Sequence, residues 1–136
     1  MATDRAFLDN LVVRQLGPGV EIAGFDCEPA INWFLANVAA DHQAKRMSVV
    51  RCWLSDGTLA AYVTLSMAYV EIGESPQRER LGLKGLNFKE GGSHAKFFPC
   101  ILIGMLGVEK KFKRRGLASL IIKRVVGQAL NLVQKE

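Results

Sequence analysis

The chain has 136 residues, 49% of them hydrophobic and 23% charged, with a formal net charge of +5. This length and composition suit one packed globular domain and exclude a disordered chain. No apolar run approaches the roughly 20 residues that span a bilayer, and the opening MATDRAFLDN has no basic stretch followed by an apolar core, so neither a membrane span nor a secretory signal is expected.

Val12–Leu16 (VVRQL) predicts a short first strand, closed by the turn Gly17-Pro18-Gly19. Phe25–Arg46 predicts one helix. Asp26 is its expected cap and Pro29 fits its first turn, while Ile31, Phe34, Leu35, Val38 and Ala39 recur at helical spacing. Lys45 and Arg46 fall at its end, where cations suit the helix dipole. Met47–Leu54 and Thr58–Ile72 flank Ser55-Asp56-Gly57, a strong hairpin signal. Alternation in the second strand sets Val63, Leu65, Met67 and Tyr69 on a buried face, with Thr64 and Ser66 opposite.

Gly73–Phe98 is polar, glycine-bearing and basic, and predicts only a short helix over Gln77–Leu81. Pro99–Val108 (PCILIGMLGV) is continuously apolar, as expected of a central strand covered on both faces, and Pro99 is acceptable as its first residue. From Gly116 the period turns helical. Leu117, Ile121, Val125, Ala129 and Val133 form a stripe joined by Ile122, Val126 and Leu130, with Lys123, Arg124, Gln128, Asn131 and Lys135 on the other face. The order β–α–β–β–loop–β–α predicts the α/β (α+β) class: a single domain over residues 1–136, with a mostly antiparallel sheet and flanking helices.

Cys27, Cys52 and Cys100 are odd in number, widely spaced and without a CxxC pair, which suits reduced thiols in a cytoplasmic protein. His42 and His94 have no ligand-spaced neighbours; they read as surface or hydrogen-bonded side chains, and no metal is expected. Trp33 and Trp53 read as core aromatics, and Cys27 as a small residue packed under a helix start.

The net charge hides an asymmetry. Up to Ser75 nine anions face five cations; from Pro76 onward thirteen cations face four anions. A basic half points to phosphate-bearing partners. The densest cluster, Lys110–Arg115, lies where the chain turns from strand to helix, and like charges stacked there repel unless something anionic shares the turn. Helix N-termini supply such a site: their first N–H groups lack partners and carry about half a positive charge. A glycine at Gly116 lets a phosphate approach the backbone. The pattern is neither GxxxxGKS/T nor GxGxxG.

It does resemble the acyl-CoA pyrophosphate loop of the GNAT superfamily of N-acetyltransferases. There an apolar strand runs into Gln/Arg-x-x-Gly-x-Gly/Ala at a helix start; here the residues are Lys113-Arg114-Arg115-Gly116-Leu117-Ala118. Phe25-Asp26-Cys27, the strand TLAAYVTLS and Leu106-Gly107-Val108-Glu109 are further similar to the acetyltransferase toxins of bacterial toxin–antitoxin pairs, which carry Leu-Ala-Val-Asp at the last of these places. The likeness covers most of the chain and is weakest over Gly73–Phe98. Lys113 keeps the charge of the usual Gln/Arg position without its forked hydrogen bonding. Arg114 stands where the subfamily often has Gly, and Met105 where it often has Arg.

The resemblance implies transfer of an acetyl group from acetyl-CoA, the cosubstrate, to a primary amine. Leu106, Gly107 and Val108 would pair with the pantetheine arm, and Lys113, Arg114, Arg115, Gly116, Leu117 and Ala118 would hold the pyrophosphate. The Val108 N–H would polarise the thioester carbonyl. The subfamily's acceptor is the α-amine of aminoacyl-tRNA. That group titrates at about 7.7–8.0 and needs no strong base, whereas a lysine at about 10.4 would. Glu71 is the candidate base, but the sequence assigns no catalytic residue. The basic half would meet the tRNA backbone, and an antitoxin protein is an implied partner; no membrane is. The family continues with closing strands and a tyrosine near the thioester sulfur. Tyr62 and Tyr69 lie upstream on a strand and do not match it, so the fold is expected to be C-terminally short. A homo-oligomer, or completion by another chain, would then cover the apolar edge, and the isolated chain would transfer acetyl groups slowly. The competing reading is a non-catalytic acyl-CoA- or nucleic-acid-binding remnant of the fold.

Overall fold

The hairpin signalled by Ser55-Asp56-Gly57 organises the sheet. In the computed structural model, which describes residues 2–71 and 97–134, β2 (Val49–Ser55) and β3 (Thr58–Glu71) pair antiparallel around Asp56 and Gly57. Both turn residues have positive φ, 49° and 80°. That is what a tight hairpin turn demands and what Asp-Gly tolerates. β1 (Val12–Gln15) adds to the outer side of β2, and β4 (Phe97–Val108) follows β3, giving the order β1-β2-β3-β4. The expected antiparallel sheet with flanking helices is present.

Two compact units divide these elements: Met1–Ser66 with Ile103–Glu136, and Met67–Leu102. In the first, six consecutive β3 residues, Leu59 to Thr64, are buried, so this strand and not β4 is covered on both faces. One face of the sheet carries Val50, Cys52, Leu54, Leu59 and Tyr62 in a single core with Val20, Leu35 and Ala39. Alternation sends Arg51, Trp53, Ala61 and Val63 to the other face. There the Arg51 guanidinium donates to the Gln128 side chain of α4 (Leu117–Gln134), and Leu117, Ile121 and Val125 of that helix are buried.

Several expectations change. The helix predicted over Phe25–Arg46 is two helices, α2 (Pro29–Asn37) and α3 (Ala39–Ala44), broken at Val38 with φ −125°. At the break the Asn37 amide donates to the Trp33 carbonyl at 2.9 Å, a side-chain bond that competes with the backbone ladder. Asp26 is not the cap. Glu28 holds that position without a side-chain bond, and Asn32 reaches back instead, its Oδ1 accepting the Cys27 N–H at 2.7 Å. Trp53 is buried as expected, but Trp33 is 60% exposed on the outer side of α2. The buried stripe of α4 is narrower than its apolar residues suggest, since Ile122, Val126 and Leu130 are exposed. β4 is only partly buried, with Leu102 exposed, and begins at Phe97, so Pro99 lies inside the strand; as the last strand of the order it can lack one donor.

A helix that sequence periodicity did not reveal, α1 (Ala2–Asp9), precedes β1. In the second unit Met67 and Tyr69 are exposed, so the buried face predicted for β3 ends before them. The Cys100 thiol there donates to the Ala68 carbonyl at 3.5 Å. The proposed helix over Gln77–Leu81, and His94, lie outside the described residues.

Candidate functional site

The chain leaves β4 through a series of anchors. Glu109 is buried, its N–H donating to the Ala60 carbonyl at 2.8 Å and its carboxylate accepting the Lys111 N–H at 2.6 Å. It thereby caps the 3-10 turn Lys110–Phe112. The Lys110 N–H donates to the Asp26 carbonyl at 2.9 Å, and its ammonium pairs with the Asp26 carboxylate at 3.3 Å. Asp26, expected to cap α2, thus fastens the basic turn to the segment before that helix.

Past the turn the backbone becomes unusual. Arg114 and Gly116 both take left-handed φ, 63° and 84°. At Gly116 a glycine meets this demand; at Arg114 a side chain is held there against a cost of about 1–2 kcal/mol. The Gly116 carbonyl then accepts the Leu120 N–H at 3.0 Å and opens α4. The first N–H groups of that helix have no partner within it.

These elements surround a cleft of about 470 Å³, closed on one side by Cys27, Glu28 and Ile31 at the start of α2 and on the other by Leu106 and Val108 of β4. Its floor is Phe112, Lys113, Arg114 and Gly116, with Leu117, Ala118 and Ser119 of α4. Of the nine residues singled out from sequence, seven line this cleft: Leu106, Val108, Lys113, Arg114, Gly116, Leu117 and Ala118.

Gly107 and Arg115 do not line it. Gly107 is buried against α2, and a Cβ there would meet Ile31 Cγ2 at 2.4 Å, so its glycine lets the strand and helix approach. Arg115 belongs to a different set of contacts. Its Nε pairs with Asp4 of α1 at 3.1 Å, and its guanidinium lies 3.9 Å from the centroid of the Phe7 ring. Among the described residues, Lys111, Lys113 and Arg114 have no ion pair. The cleft therefore has an apolar wall for a thin organic chain. It also has two unpaired cations, two left-handed loop residues and a helix start for an anion.

Sequence reasoning missed Glu28, Ile31, Phe112 and Ser119 as lining residues. The first two sit at the start of α2, which contacts between distant positions, the Asp26–Lys110 link and the packing of Ile31 on Gly107, bring to the loop. Cys27 is buried under the helix start as expected. Tyr62 is buried in the core, where its hydroxyl donates to the Ile31 carbonyl at 2.7 Å; burial first, and the nearby Cys27 and Cys52 second, push its phenol well above the usual range. Neither Tyr62 nor Tyr69 lines the cleft. The Glu71 side chain lies outside the described residues. Among the described residues no group of three His, Cys, Asp or Glu is placed to hold a metal ion, and no helix is long and apolar enough to cross a membrane.

No family model and no curated protein matches the sequence. Solved structures do match the fold. A tyrosine-to-phenylalanine mutant of KacT shares 20% identity at TM-score 0.72, covering 93% of this chain and 74% of that one. AtaT complexed with acetyl-methionyl-tRNAfMet shares 18% identity at TM-score 0.71, over 90% of this chain and 71% of that one. AtaTR bound with acetyl-CoA gives 17% and 0.71, over 93% and 73%. Further AtaT structures of this fold are described as those of a toxin, one of them bound to the C-terminus of the antitoxin AtaR and acetyl-CoA. The chain has the GNAT fold. Within that fold the cleft lies where the strand ahead of the basic loop meets the helix after it.

Proposed function

We propose that the chain is an acetyl-CoA-dependent N-acetyltransferase that acts on the α-amine of an aminoacyl-tRNA as the toxin of a toxin–antitoxin pair. The observation that carries the reading is the cleft: unpaired Lys113 and Arg114, left-handed Arg114 and Gly116, and the start of α4 converge at the end of an apolar strand. The residues present fit an acyl-CoA. The diphosphate suits the cations and the helix N-terminus, and Leu106, Val108 and Ile31 suit a narrow pantetheine arm. AtaT, of the same fold, has been seen with acetyl-CoA and with an acetylated aminoacyl-tRNA, which supports the same pair of ligands here.

Acetyl-CoA, when bound, supplies an activated thioester. The chain's own contribution is positioning. The loop and α4 fix the diphosphate end, the apolar wall of β4 excludes water from the arm, and the Val108 N–H is assigned the polarisation of the carbonyl. Among the described residues Glu28 is the one carboxylate lining the cleft; the reading gives it no proton-transfer role, because an α-amine titrating at about 7.7–8.0 is already partly neutral. Cytoplasmic location, an antitoxin partner, and self-association or completion by a second chain belong to the same proposal.

Gly116→Asp tests it. The substitution puts a side chain into left-handed backbone and a negative charge beside the diphosphate. Calorimetric titration with acetyl-CoA should show micromolar-range binding to the parent, and loss of at least about tenfold in the variant, one charge-assisted contact's worth. A folded variant that binds as well as the parent would refute the site, and absence of thiol release with charged tRNA in the presence of bound acetyl-CoA would refute the acceptor.

A further inference from the structure

Two left-handed positions, Arg114 and Gly116, sit in succession around Arg115, and the non-glycine Arg114 carries the strain. Non-glycine residues persist in left-handed backbone only where their surroundings over-determine them. On the entry side the loop is tied down by Glu109 and Lys110. On the exit side the ties come from α1, more than a hundred residues earlier in the chain. Asp4 pairs with Arg115 at 3.1 Å, each side chain 34% exposed. The Phe7 ring supports the same guanidinium from 3.9 Å and stacks on Phe112 with centroids 5.5 Å apart and planes 7° from parallel. Leu8 Cδ1 approaches within 3.6 Å of where a Cβ on Gly116 would be. One helix thus touches the loop at Phe112, Arg115 and Gly116.

We propose that α1 is a positioning clamp for the anion loop. Asp4 and Phe7 turn Arg115 away from the cleft and neutralise it, and so hold Arg114 and Gly116 in the conformation that presents loop backbone to a phosphate. Asp4, Phe7 and Leu8 are positioning residues; none of them lines the cleft. The clamp spends part of the loop's ordering cost before any ligand arrives, which is how preorganisation raises affinity. This inference rests on the acyl-CoA reading for its ligand but not for its geometry, and the test separates the two.

The first measurement needs no ligand. Backbone hydrogen exchange across Lys113–Ser119 is compared in the parent, Asp4→Asn, Asp4→Glu and Phe7→Ala chains. Exchange should quicken in this segment with Asp4→Asn and Phe7→Ala while core amides of β2 and β3 stay protected, and Asp4→Glu should restore most of the protection. The second measurement is CoA affinity, expected to fall about threefold in Asp4→Asn and about tenfold in Phe7→Ala, the scale of one partly exposed pair and of a pair plus its aromatic support. In an Arg115→Gln background, Asp4→Asn should add nothing, because the residue it acts through has gone.

Unchanged loop exchange, or an increase spread evenly over the chain, overturns the clamp. Tighter CoA binding by Asp4→Asn also overturns it, since Asp4 would then be withholding Arg115 from the phosphates. If the parent binds no CoA, the acyl-CoA reading falls and the exchange result alone decides the clamp.

Discussion

Replacing Gly107 with alanine tests how the cleft is built. Gly107 is buried in β4, and the added methyl would stand 2.4 Å from Ile31 Cγ2, with Phe25 Cζ and Tyr62 Cε1 at 3.6 Å. A separation below 3.0 Å cannot be tolerated, so something must move. Ile31 is a poor candidate, because the encroached atom sits on a β-branch, whose χ1 is nearly fixed in a helix. Its carbonyl is also held by the Tyr62 hydroxyl at 2.7 Å. The start of α2 must therefore shift from β4, at an overpacking cost of about 1–3 kcal/mol. For a chain of this length that lowers Tm by about 3–12 °C. Urea and thermal denaturation of Gly107→Ala, Ile31→Ala and the double variant measure it. The double variant removes the encroached atom, so the two costs should fail to add by about 1–2 kcal/mol in the favourable direction. Simple additivity, or a Gly107→Ala chain as stable as the parent, would show that strand and helix are not in contact as described.

Gln43 offers a second check: its amide donates to the Leu16 carbonyl at 2.7 Å and its Oε1 accepts the Val50 N–H at 2.9 Å. Gln43→Ala strands two part-buried backbone groups and should lower unfolding free energy by about 1–3 kcal/mol in urea titrations; a loss below the error of the midpoint would mean that water replaces both bonds. Alkaline pH gives a third. Burial pushes the Cys52 thiol up from its ordinary 9.0 to about 11, so the folded state keeps the proton that the unfolded state releases. Stability is fully present below pH 9 and declines as pH rises towards 11, by about 2–3 kcal/mol. Urea midpoints between pH 8 and 11 should fall more steeply for the parent than for Cys52→Ala, and parallel profiles would refute the assignment.

The parts of the molecule legible in the sequence are those fixed by neighbours in the chain. The hairpin at Asp56-Gly57 and the turn from β4 through Lys110–Arg115 into α4 depend on local backbone demands, which residue types advertise directly. The class of the sheet followed from strand spacing. What escaped depends on contacts between distant segments. α1 is short, and its aromatic residue finds its place against Phe112 and Arg115, more than a hundred residues away. The apolar run of β4 reads alike whether a strand is covered on one face or two, and only the strand order reveals that β3 takes the central place. Arg115 looked like one more cation for a phosphate, because nothing near it in sequence discloses Asp4. Trp33 is expected in the core as a large aromatic, but it lies off the helical spacing of Ile31, Phe34, Leu35 and Val38 and faces outward.

The cluster of like charges at Lys110–Arg115 is resolved by division of labour. Lys110 and Arg115, at its two ends, are each matched by a carboxylate from another segment: Asp26 ahead of α2, and Asp4 on α1. Exposed pairs of this kind contribute little stability apiece, about 0–1 kcal/mol, so stability alone is a weak reason for them. Their placement is a better one. Each pair fastens one end of the loop to a different wall, and the strained backbone at Arg114 lies between the fastenings. Neutralising the ends also lowers the repulsion that the middle would otherwise feel. Among the described residues Lys113 and Arg114 remain without an ion pair beside the start of α4, where a bound anion would relieve their mutual repulsion. This turn matches the ends and leaves Lys113 and Arg114 open to the cleft, the arrangement that the proposed diphosphate site requires.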